Sequence, residues 1–170
     1  MAENLKVTRY NDGSVIDYYS NDSDGIDAWP YLITGGYSIN SEYEDFYGYL
    51  YNWYAIDENI GLCPTGWRVP SKQDYEILGD YLGENSGLKM KDSENFNGTN
   101  ESGFKALPAG ERSEVNASYG SWGSNGTAYL WTATLDHLND RAYYLYLHYS
   151  SNDMNYSAYY KDMGGSVRCL

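Results

Sequence analysis

Apolar residues change their spacing along this chain, and the spacing divides it into regions. From residue 8 to 45 aliphatic side chains are sparse among Asp, Asn, Ser and Tyr, and Gly13, Gly25, Gly35 and Gly36 interrupt them. This predicts extended loop with short strands. The first dense block, Tyr47-Gly-Tyr-Leu-Tyr-Asn-Trp-Tyr-Ala55, is aromatic enough for a half-buried strand pair or turn. A helix is predicted over about 71–82. Ser71 stands at its cap with Asp74 three residues on, and Tyr75, Ile77, Leu78, Tyr81 and Leu82 form its apolar stripe. Pro70 constrains Val69 and disfavours an earlier start, while Gly83 ends the run.

Past the helix, residues 95–126 are rich in Gly, Asn and Ser and predict long loops pinned by Phe104 and Leu107. Tyr129–Ala133 reads as a strand. From Arg141 the pattern has a period of two: Ala142, Tyr144, Tyr146 and His148 alternate with Tyr143, Leu145, Leu147 and Tyr149. A turn near 150–153 and a last strand over 165–169 complete a hairpin-rich carboxyl half. With no internal repeat and 170 residues, the expectation is a single α+β domain over 1–170, with short antiparallel strands, one clear helix and long irregular loops.

Composition alters this picture in two ways. Of the aromatic residues 21 are Tyr and only 3 are Phe, so much of the apolar mass carries a hydroxyl that needs a partner or water. The formal charge of −13 repels both nucleic-acid phosphates and an anionic membrane leaflet. No apolar run is long enough to span a bilayer, and Met1-Ala-Glu-Asn-Leu5 lacks the regions of a signal peptide, so an exported form would need a leader that this sequence does not carry. Cys63 and Cys169 stand alone, outside any ligand spacing; a loop-closing disulfide is the favoured reading, with two buried thiols or a catalytic thiol as the alternatives.

Five ordered blocks carry a resemblance: Tyr47–Trp53, Cys63-Pro-Thr-Gly-Trp-Arg-Val-Pro-Ser71, Asn97–Pro108, Tyr129-Leu-Trp-Thr-Ala-Thr134 and Ser166-Val-Arg-Cys169. Together they resemble the Fibrobacter succinogenes major paralogous domain of bacterial surface lipoproteins. The resemblance implies a C-type-lectin-like fold with the amino and carboxyl strands paired and the helix packed beneath. It also implies an extracellular, cell-surface or phage-particle location. The fold is further similar to the variable proteins of diversity-generating retroelements, in which Asn codons of a carboxyl-terminal segment become Tyr, Asp, His or Ser codons. Here that segment corresponds to residues 135–162, between Trp131–Thr134 and Ser166–Cys169.

Seven of the 18 residues from 143 to 160 are Tyr, against 14 in the other 152, about a fourfold enrichment. Tyrosine among Ser and Asn is the composition of a paratope, giving large contact at small rotamer cost. Such a surface suits a protein or a glycan displayed on another cell. The candidate ligand-binding residues are Asp136, His137, Asn139, Tyr144, Tyr146, His148, Tyr149, Asn152, Asp153, Asn155, Tyr156, Tyr159 and Tyr160. The bland alternative is that these tyrosines fill a β core. No cofactor, catalytic residue or metal site is expected. Asp22, Asp24 and Asp27 only partly match a calcium loop, and Tyr31 stands where its closing Glu belongs. A structural surface domain without a specific ligand is the second reading. A formylglycine-generating type of oxidase is the third, weakened because no second cysteine lies near Cys169. Trp67 and Trp131 are expected in the core.

Overall fold

The computed structural model describes residues 1, 3–20, 29–39, 44–56, 59, 61–113, 119–120 and 126–170. In chain order they form β1 (Asp17–Tyr18), β2 (Gly36–Ser38), α1 (Glu44–Tyr47), β3 (Leu50–Tyr51), α2 (Lys72–Leu82), α3 (Ser86–Met90), β4 (Glu111–Arg112), β5 (Tyr119–Gly120), β6 (Thr127–Leu135), β7 (Arg141–His148) and β8 (Asn155–Tyr160). Short 3-10 turns stand at Trp29–Tyr31 and Trp53–Ile56. β1 runs parallel to β2 and β2 antiparallel to β3; β4 pairs with β5, and β6, β7 and β8 form an antiparallel meander. The short sheets and few helices are consistent with the expected α+β class or with a mostly β one, and the sequence pattern did not announce the two further short helices, α1 and α3.

The meander is covered on both faces. Trp131, Ala142 and Tyr144 point from β6 and β7 into a core shared with Ile16, Tyr37, Tyr51 and Ile56. Leu130, Leu145 and Leu147 point the other way, against Tyr75 of α2, Met90 of α3, and Phe96. Leu78, Leu82 and Phe104 pack at the margin of this second core.

α2 forms as its local sequence dictates. The Ser71 hydroxyl accepts from the Asp74 amide, and the Asp74 carboxylate accepts from the Ser71 amide, a reciprocal capping box. Arg68 donates twice to that carboxylate, at 2.6 and 2.8 Å. The Arg68 hydrogen bonds, and then those from Ser71, outweigh desolvation and hold the Asp74 carboxyl well below its ordinary value. The predicted stripe is narrower than expected. Tyr75, Leu78 and Leu82 face the core, whereas Ile77 and Tyr81, 62% and 85% exposed, lie on the solvent side because two and six residues from Tyr75 is the far side of a helix.

The predicted strand over 165–169 is not one strand. Gly164 bridges to Arg112, Gly165 to Tyr51 and Ser166 to Leu130, so successive residues bond to three different parts of the fold. Bare glycine backbone permits this: a Cβ on Gly165 would come 3.0 Å from Trp131 Nε1, and one on Gly164 would come 2.8 Å from the Arg112 Cβ. The chain ends do meet, through Leu5 N–H to the Val167 carbonyl at 2.8 Å, although neither segment is a regular strand.

Cys63 and Cys169 are joined, and neither is free. Closing a loop of 106 residues contributes about 5 kcal/mol on the chain-entropy account. Trp131 is fully buried and donates to the Tyr51 carbonyl at 2.9 Å, as a core indole should. Trp67 is not in the core. It is 48% exposed and borders a cleft of about 370 Å3 with Asn11 and Arg68, because the tight turn from Pro64, with Gly66 at φ 88°, swings its indole outward.

A candidate recognition surface on the carboxyl-terminal hairpin

The residues singled out between 136 and 160 lie on the β6–β7 turn, β7, the β7–β8 loop and β8. An eight-residue strand such as β7 is about 26 Å long, so the turn and the loop stand at opposite ends of the hairpin. They are not brought into one patch.

On one face of the hairpin the rings form a graded ladder. Tyr144 stands edge-on to buried Trp131 at 5.9 Å and to Tyr129 at 5.6 Å; Tyr146 lies beside Tyr144 at 5.9 Å and is stacked near Tyr129 at 6.4 Å. Tyr144 is only 8% exposed: paired with Trp131 across the sheet, it packs with the core. Burial pushes its phenol pKa up. Tyr146, Asn155 and Ser157 are half-buried at the rim of the same face.

On the other face Lys72, from the first turn of α2, lies 5.3 Å from the centre of the Tyr143 ring and 5.5 Å from that of Tyr156. Burial, with the charges of Glu76 and Asp80, pushes the Tyr156 phenol up to about 12. Further along, Arg141 stacks on Tyr160 at 4.6 Å and donates to its hydroxyl at 3.1 Å, and Tyr159 meets Tyr160 edge-on at 5.7 Å. Tyr159 and Tyr160 are 36% and 46% exposed on β8, whose outer edge pairs with no strand among the described residues.

The turn at 136–140 is built internally. The Asp136 carboxylate accepts from the Arg141 amide and serves the turn. Desolvation pushes its carboxyl up, but the Arg141 amide, His137 and the Leu138 and Asn139 amides together hold it below its ordinary value. Asn139 closes the turn in the left-handed region at φ 60° and, with His137, is exposed.

At the other end the loop is pinned from beneath. The Lys91 ammonium, on a fully buried residue, donates to the carbonyls of His148, Tyr149 and Ser151 at 3.1, 3.2 and 2.8 Å. Leu88 N–H donates to the Asn152 carbonyl at 3.0 Å, and the chain at Asp153 lies so close to Gly87 that a Cβ there would come 2.4 Å from the Asp153 carbonyl oxygen. Above this floor Tyr149, Asn152 and Asp153 face solvent, and the His148 ring lies 4.7 Å from that of Tyr149. Lys91, Lys72 and Tyr129 were not anticipated, and for the two lysines nothing local in sequence signals a role in a hairpin more than 50 residues away.

The calcium-loop candidates Asp22, Asp24 and Asp27 lie outside the described residues, within which no cluster of three metal-ligating side chains occurs. No helix among the described residues is long and apolar enough to cross a membrane.

These features define a fold of short sheets and few helices whose tyrosine-rich meander is anchored by two buried cores. A family model for the Fibrobacter succinogenes major domain matches residues 1–170, and the chain belongs to that family. Searches of curated proteins and of solved structures gave no match.

Proposed function

We propose that this protein is a C-type-lectin-like binding module displayed on a cell or phage surface, which recognises a protein or glycan through the exposed side of residues 135–162. The observation that carries the reading is the pairing of exposed Tyr149, Tyr159 and Tyr160 with a backbone held rigid by Lys91, α3 and the meander. Rigid backbone with large amphipathic side chains binds at low ordering cost. The candidate contacts fall into two groups, His137, Asn139, Tyr159 and Tyr160 toward the β6–β7 turn and Tyr146, His148, Tyr149, Asn152, Asp153, Asn155 and Tyr156 toward the β7–β8 loop, with Tyr144 and Asp136 as their support.

The same segment is the one a diversity-generating retroelement would vary, and its exposed positions tolerate many residue types. Sequencing the locus in sibling strains tests this: substitutions confined to Asn-derived codons between Leu135 and Asp162 are expected, and an invariant segment sinks it. Ligand binding is tested on arrays of glycans and cell-surface proteins, with Tyr149→Ala/Tyr159→Ala/Tyr160→Ala as the variant. Loss of the captured partner is the expected result, and full retention refutes the reading. The acidic surface disfavours nucleic acid as that partner. The reading takes the Cys63–Cys169 bridge as a tie of the scaffold and involves no cofactor or catalytic thiol.

A further inference from the structure

A cavity of about 200 Å3 opens between α2 and the carboxyl-terminal segment, away from the exposed side of the hairpin. Pro70, Leu78 and Phe104 give it apolar walls. Among its polar linings, Tyr75 and Arg168 stand out. Tyr75 is 3% exposed, and its hydroxyl has no hydrogen-bond partner. Arg168 is 2% exposed; its guanidinium stacks on Phe104 at 4.4 Å and donates only to uncharged oxygens, those of Asn4 at 3.1 Å, Phe104, and Lys105 at 3.1 Å.

Each of these is costly alone. A buried hydroxyl without a partner loses its hydration for nothing, and a buried cation without a counter-ion is worse. The Asp74 carboxylate, which also lines the cavity, is already held twice by Arg68. Desolvation lowers the Arg168 pKa to about 10, and Tyr75 and the charge of Glu3 offset it only in part.

We propose that this cavity binds a small apolar carboxylate, which accepts from the Tyr75 hydroxyl and faces the Arg168 guanidinium while its hydrocarbon part lies against Leu78 and Phe104. At about 200 Å3 the space is below the roughly 300–1,000 Å3 that houses drug-sized molecules, so a short aliphatic or single-ring acid is the size that fits. It exceeds the roughly 30 Å3 share of one water several-fold, and its apolar walls suit hydrocarbon better than a water cluster. The site is independent of the hairpin and of whatever the hairpin binds.

The test is calorimetric titration of the intact protein with butyrate and benzoate, and with butyramide and benzamide as uncharged counterparts. The acids are expected to bind about tenfold or more tightly than the amides, the worth of one hydrogen bond to a charged group. Arg168 also ties Asn4, Phe104 and Lys105 together, so Tyr75→Phe is the informative variant. It should keep or raise the melting temperature, because it removes an unpartnered hydroxyl, while weakening the acids by about tenfold. The proposal is overturned if neither acid binds at millimolar concentration, if the amides bind as well as the acids, or if Y75F binds the acids unchanged.

Discussion

Replacing Tyr144 by Ala removes a ring that is 8% exposed and stands edge-on to Trp131 at 5.9 Å and to Tyr129 at 5.6 Å. Truncating a core aromatic of this kind costs about 3–5 kcal/mol, the lost ring contacts included. A chain of 170 residues unfolds with an entropy of about 0.36 kcal/mol per kelvin, from roughly 2.1 cal/mol/K per residue. The melting temperature of Y144A should therefore fall by about 8–14 °C. Tyr159 and Tyr160 give the contrast, since both are on the edge strand and Tyr160 gains mainly the Arg141 stack at 4.6 Å. That stack is worth about 0.5–1 kcal/mol at an exposed site, so Y159A and Y160A should each shift the melting temperature by under about 3 °C. Calorimetry of the three variants decides the matter, with urea unfolding followed by tryptophan fluorescence as a second probe. A fall below about 3 °C for Y144A, or an equal fall for Y159A or Y160A, would refute the division of this segment into buried support and exposed face.

Lys91→Met leaves the carbonyls of His148, Tyr149 and Ser151 without their shared donor, at a cost of about 1.5–3 kcal/mol. Amide exchange should quicken at residues 149–152 before anywhere else in the hairpin, and unchanged protection there contradicts the pinning role. Burial raises the phenols of Tyr51, Tyr75 and Tyr156, the last to about 12. Their folded-state pKa values exceed the unfolded value near 10, so their stabilisation is complete below pH 10 and is lost as pH climbs toward 12. Lys91 and Arg168, both lowered by burial, act in the opposite sense and soften the fall. Tyrosinate absorbance followed against pH should show the buried phenols ionising together with unfolding, and independent ionisation of all phenols near pH 10 in a still-folded protein contradicts this.

What the sequence could reveal depended on how near the interacting residues lie. The cap pair Ser71 and Asp74 is three residues apart, so α2 was legible to within a residue. The alternation from Ala142 to His148 marked β7, and the five blocks identified the family. The cysteine pair was readable because only one bridge can form between two residues.

Period two says that a strand has two faces, but not what lies against each. The sequence by itself determined the helix α2, the strands β6 and β7 and the concentration of tyrosine in the last third, because those follow from local spacing and composition. Only the tertiary structure decided that Tyr144 meets Trp131 and turns inward, that Trp67 turns outward, and that Lys91 and Arg168 are buried among carbonyls. The physical reason is that burial is a property of pairs of surfaces, and here the partners come from segments tens of residues apart whose meeting no local pattern encodes.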